Sequence, residues 1–71
     1  MKVDLKPGTK LKNGATVIQG KDNIFHEGYT VLCVKDNGEF VTWITDEAGN
    51  TYHGHYYSDI QEALNDFNNR S

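Results

Sequence analysis

The chain predicts an α+β fold: a small curled antiparallel sheet of about five short strands, covered by one C-terminal helix. Three features predict it. Runs rich in β-branched and aromatic residues alternate with clusters of Asn, Asp and Gly. The last third ends in an amphipathic stripe at helical spacing. Finally, 71 residues, 37% of them hydrophobic, suffice for one domain with a thin core and no more.

Taken in order, Pro7-Gly8 reads as a type II turn, Pro fixing φ and Gly taking the positive-φ place. Thr9-Lys10-Leu11-Lys12 alternates polar and apolar, Asn13-Gly14 supplies the pair that a type I′ hairpin demands, and Ala15-Thr16-Val17-Ile18 returns as the second strand. Gln19 to Gly28 reads as a loop, with Ile24 and Phe25 as pegs to the core. It is long for so small a domain, and such loops often carry function. Tyr29–Val34 is a strand by its β-branched and aromatic content, and Glu39–Ile44 is its partner across the turn Lys35-Asp36-Asn37-Gly38. Asp46–Asn50 makes the next turn, and Thr51–Tyr57 is the last strand. The result is a meander with the N-terminal hairpin beside or across it.

The helix spans residues 58–68. Ser58 and Gln61 stand three apart, as a capping box needs. Ile60, Ala63, Leu64 and Phe67 recur at i, i+3, i+4 and i+7 and put one apolar stripe on one face. A helix this short is marginal alone in water, so the stripe needs a sheet to cover it.

Strand alternation places Tyr52, Gly54 and Tyr56 on one face of the last strand and Thr51, His53, His55 and Tyr57 on the other. On the preceding strand Val41 and Trp43 oppose Phe40, Thr42 and Ile44. Both faces carry large groups, yet one helix can cover only one face. The surplus must be covered by the N-terminal hairpin, by a sheet curling toward an SH3-like barrel, or by another molecule. Gly54 is expected where a large side chain crosses the strand.

Charge is unevenly spread. Residues 1–21 hold five Lys against Asp4, a balance of +4; residues 22–71 hold Lys35 and Arg70 against nine acids, a balance of −7. The acidic part has no electrostatic case for a phosphate backbone. Lys10 and Lys12, with exposed aromatics, are the residues a nucleic-acid-binding alternative would use, although lysines on a hairpin edge also guard against edge pairing. The single Cys33, between Leu32 and Val34, forms no internal disulfide and reads as an apolar filler in a reducing setting. Residues 1–6 lack a continuous apolar run and nothing reaches membrane-spanning length, so a cytoplasmic protein is expected, with no membrane partner.

His53 and His55 sit at i and i+2, on one side of a regular strand and about 7 Å apart at Cα. A metal-binding alternative would add His26, Asp46 or Asp59 as third ligand; half-exposed strand residues stacking beside Tyr57 are the plainer account, and neither a metal nor any other cofactor is expected. No catalytic residues are expected either. Ser58 is explained by capping and lacks a Gly-x-Ser-x-Gly elbow, and a domain this small rarely holds a pocket of a few hundred cubic ångströms. The aromatics suit a protein interface, where Tyr and Trp often act as anchors. The expected binding residues are Trp43, Tyr52, His53, His55 and Tyr57, with Asp46 and Glu47 offering charge to a basic partner. Trp43 and Tyr52 are at the same time the ones expected in the core.

The stretch Phe40-Val41-Thr42-Trp43, then Gly49-Asn50-Thr51-Tyr52, then Gly54-His55-Tyr56-Tyr57, ending in Ala63 and Asp66-Phe67, resembles a group of small uncharacterised proteins of bacteriophages and other mobile elements. The resemblance covers Tyr29 to Arg70. It implies a cytoplasmic accessory protein that acts by binding another protein, with a homodimer as an option and without a catalytic centre to transfer.

Overall fold

The computed structural model describes residues 6–22 and 28–70. Strands β1 (Thr16–Asp22), β2 (Tyr29–Val34), β3 (Phe40–Thr45) and β4 (Thr51–Tyr57) form one antiparallel sheet in the order β1-β2-β3-β4, and helix α1 (Ile60–Asn69) follows. The class is therefore α+β, as the sequence predicts. The sheet has four strands rather than five, and β1 and β4 are its two free ends, so it is open and not a barrel.

The missing strand is the N-terminal one. Thr9–Lys12 makes only a single bridge, Lys10 with Thr16, and the backbone pairs Gly8 and Thr9 with Val17 at 2.7 and 2.8 Å. The Pro7-Gly8 turn closes as predicted, Thr9 N–H donating to Lys6 at 3.1 Å with Gly8 at φ 92°. The Asn13-Gly14 turn is not type I′, which would need positive φ at two residues; only Gly14 has it, at 89°.

Three turns share one geometry. Leu11 with Ala15, Lys35 with Glu39 and Asp46 with Asn50 each pair first N–H to fifth carbonyl, and the fourth-place glycine donates back to the first residue, all at 2.8–3.1 Å. Gly14, Gly38 and Gly49 supply the left-handed residue that closes such a three-residue loop. An Asn or Asp carboxamide or carboxylate oxygen braces each one: Asn13 accepts from Ala15 N–H, Asn37 from Glu39 N–H, and Asp46 from Ala48 N–H, at 2.9–3.0 Å.

The stretch expected as a loop from Gln19 to Gly28 begins as strand, since β1 runs to Asp22; Ile24, Phe25 and His26 lie outside the described residues. Ile18 is an extra residue in β1, between Val17 paired with Cys33 and Gln19 paired with Leu32. Val17 and Ile18 take opposite faces as in any strand, and the bulge then keeps Gln19, opposite Leu32, on the helix side with Ile18.

The two faces have separate cores. Under α1 lie Leu32, Ala63 and Phe67, flanked by Ile18, Phe40, Tyr57 and Leu64. Burying a ring the size of Phe67 is worth about 2–3 kcal/mol, enough to hold a helix that is marginal alone. Ile60, at the start of the predicted stripe, stays exposed. On the opposite face Leu11 and Ala15 of the first turn cover Val17, Val31, Cys33, Val41 and Trp43, with Tyr29 packed beside them. The surplus apolar face is thus covered in part by the N-terminal segment, one of the three solutions expected. Burial pushes the Cys33 thiol up to about 12, which leaves it an inert filler.

The helix cap falls one residue later than the capping box predicts. Asp59, not Ser58, is the N-cap, its carboxylate accepting from Gln61 N–H at 3.0 Å. The chain stays extended through Asp59 and turns helical only at Ile60, which places Asp59 at the cap, where its charge also suits the helix N-terminus.

Candidate functional site: the edge strand and its flanking cleft

β4 carries most of the expected binding residues, and a bulge decides which way they face. Its register against β3 shifts by one between Thr42 paired with His55 and Ile44 paired with Tyr52, so His53 and Gly54 together oppose Trp43. His53 takes the strain at φ 53°, where a non-glycine residue is uncommon. The extra residue overturns the regular alternation expected for this strand. Tyr52 joins His55 and Tyr57 opposite Ile44, Thr42 and Phe40, on the helix side, while Tyr56 faces the other side opposite Val41. It also breaks the regular i, i+2 geometry that would place His53 beside His55.

Gly54 meets its expectation. The Trp43 indole lies over it so closely that a Cβ there would stand 2.6 Å from Nε1 and 3.0 Å from Cδ1. Trp43 is core, at 7% exposure, and meets the Tyr56 ring edge-on at 6.3 Å and 87°. Tyr52 is not core. It is 49% exposed, because the bulge carries it past the end of the helix-covered layer and toward the β3–β4 turn.

There its hydroxyl donates to Asp46 at 3.2 Å. Asp46 also accepts from Ala48 N–H, Asn50 N–H and the Asn50 amide, each at 2.9 Å. The Asn50 bonds are the main cause that holds its carboxyl down to about 2, and the Tyr52 hydroxyl is raised by its own bond to Asp46 and by the charge there. Asp46 therefore organises its turn and has little capacity left for a partner, and Asp59 is likewise committed to the cap. Glu47 stays exposed at the turn tip, and neither it nor Glu62 makes a hydrogen bond among the described residues.

His55 and Tyr57 face a polar network that the sequence did not flag. Asp66 of α1 accepts from the buried Thr42 hydroxyl and from His55 Nδ1, the latter at 2.9 Å. Arg70, at the helix C-cap, donates to the Thr42 carbonyl at 3.1 Å and hydroxyl at 3.0 Å. Burial alone would raise the Asp66 carboxyl; the bonds from Thr42 and His55 and the charges of His55 and Arg70 outweigh it and hold it low. Desolvation, then the charge of Asp66 beside it, raises the Tyr57 hydroxyl. The sequence signals for it are the place of Asp66 next to the apolar stripe instead of opposite it and its i, i+4 spacing from Arg70. Chemically this network is a fastening of helix to sheet, with Thr42 sealed from solvent.

On the opposite face, the turns around Asn13 and Asn37 border an open cleft of about 440 Å³ with Lys35, Asp36, Trp43 and Tyr56 on its walls. Its volume removes the size objection to a pocket in so small a domain. Lys35 Nζ stands 5.6 Å above the Tyr56 ring and 3.3 Å from Glu39. The lysines of the nucleic-acid alternative sit around the same turn, each with an acceptor: Lys10 at 3.9 Å from Asp36, Lys12 donating to Asn50 at 3.5 Å. Among the described residues no group of three His, Cys, Asp or Glu is gathered as a metal would need, and His26 lies outside them. Among the same residues no helix is long and apolar enough to cross a membrane.

No protein family, curated protein or solved structure matches the chain.

Proposed function

We propose that the chain is a non-enzymatic protein-binding module, a cytoplasmic accessory protein of phage or mobile-element character, whose docking surface is the β4 edge and the step into α1. One observation supports this best. Among the described residues the exposed large hydrophobic side chains are Tyr52 at 49%, Tyr56 at 54% and Ile60 at 41%, all within one nine-residue stretch. Exposed Tyr and aliphatic groups gathered along one edge are what a protein interface uses as anchors. The bulge at His53 and Gly54 discourages simple strand addition at this edge, so contact is through side chains on its two sides. The −7 balance of residues 22–71 favours a basic partner. Glu47 and Glu62 are the carboxylates of this rim that serve no turn or cap.

Photo-crosslinking tests the reading. A benzophenone side chain at position 52, 56 or 60 is expected to capture one partner protein in the native host cell. The same probe at Gln19, exposed on β1, is expected to capture none. Equal labelling from position 19, or labelling of RNA or DNA in place of protein, removes the proposal.

A further inference from the structure

The cleft beside Tyr56 is rich in donors that find no acceptor among the described residues. The Asn13 and Asn37 side-chain oxygens are taken by their own turns, at 3.0 Å each, which fixes both amide nitrogens on the outer side. Neither nitrogen makes a hydrogen bond among the described residues, and neither does the Trp43 indole N–H or the Tyr56 hydroxyl. The charged groups of the cleft wall are Lys35, whose ammonium is engaged by Glu39 at 3.3 Å, and one carboxylate, Asp36, whose side chain is 88% exposed and has Lys10 only loosely beside it at 3.9 Å. An occupant that fits must bring acceptors without donors, present apolar rings to Tyr56, and carry a positive charge near Asp36.

A polyproline II segment has that description: its carbonyls point outward, its prolines have no N–H, and its rings pack on aromatic walls. We infer that the cleft between the Asn13 and Asn37 turns binds a proline-rich segment of another protein, with a basic residue of that segment lying against Asp36. This rests on the protein-binding reading above and names the class of partner.

The test uses the full chain and a synthetic peptide of one arginine followed by eight prolines, with a Gly-Ser peptide bearing the same arginine as control. Trp43, the single tryptophan, reports by its fluorescence and by its indole N–H resonance. A saturable change with the proline peptide, absent with the control, is expected. The double variant Asn13→Asp, Asn37→Asp keeps both turn-bracing oxygens and replaces both donors with acceptors. It should melt close to wild type and bind about tenfold more weakly or worse. Asp36→Asn should weaken the arginine-bearing peptide and leave an all-proline peptide unchanged.

No saturable change, or binding that the double variant leaves intact, overturns the inference. So does tighter binding of an oligo-dT strand than of the peptide. If the peptide fails while crosslinking from position 56 still captures a protein, only the partner class falls. If crosslinking captures nothing and the peptide still binds in the cleft, the rim falls and the cleft stands.

Discussion

The two faces of the sheet are closed in different ways. The helix side is sealed twice, by Phe67 and Ala63 among apolar neighbours and by Asp66 and Arg70 fastened to Thr42 and His55. Among the described residues the other side is covered by a single turn, through Leu11 and Ala15, and this cover stops short at the cleft between Asn13 and Asn37. The difference teaches where each face spends its polar groups. Next to the helix Asp66, Thr42, His55 and Arg70 are bonded to one another, with only the buried Thr30 hydroxyl on that face left without a partner among the described residues; next to the turn, two amides and an indole N–H have no acceptor among them.

The contrast can be broken most severely at Phe67. Phe67→Ala should cost about 3–5 kcal/mol and release α1, seen as lost helical circular dichroism and a large fall in melting temperature. Leu11→Ala, on the singly covered face, should cost less, about 2–3 kcal/mol, because its turn lies at the surface and can collapse into the space. Its near-ultraviolet signal from Trp43 should change while the helix signal persists. Gly54→Ala drives a methyl into the indole and should cost about 1–3 kcal/mol with a shifted Trp43 emission.

The polar fastening sharpens the comparison through pH. Asp66 and Asp46 have folded-state values below the ordinary carboxylate value of 3.8, so their contribution is complete above about pH 4 and is lost as pH falls through the lowered values, near 2 for Asp46. Melting temperature should therefore drop between about pH 4 and 2. Asp66→Asn should start about 1–2 kcal/mol lower at neutral pH and lose less over that interval. The smallest effect is expected from Asp59→Ala, about 1 kcal/mol, while Ser58→Ala should be silent.

What the sequence made legible follows from local rules. The meander, the glycine-closed turns, the apolar stripe through Phe67 and the space over Gly54 each depend on a few neighbouring residues. The misses depend on distant ones. Nothing near Thr9–Lys12 announces that it will fold back as a cover with one bridge and not as a fifth strand. Ser58 and Asp59 both satisfy capping chemistry, and what separates them is that the backbone stays extended through Asp59. Alternation carried unbroken through His53 misplaces Tyr52; Gly54 inside the strand is the cue to the bulge, although the left-handed residue is the histidine before it. The Asp66 network ties the i, i+4 helix pair Asp66 and Arg70 to Thr42 and His55 on two strands; the helical spacing is legible, but no spacing rule links it to the strands.

That extra residue in β4 has a use beyond its own geometry. It acts as a parity switch: everything before it on the strand points opposite to where simple counting would put it. Removing His53 would turn Tyr52 over onto the same side as Tyr56, strip Asp46 of its phenolic donor, and heap both rings against the tryptophan. One deletion would thus redraw the outer border of the molecule and press on its interior at Trp43.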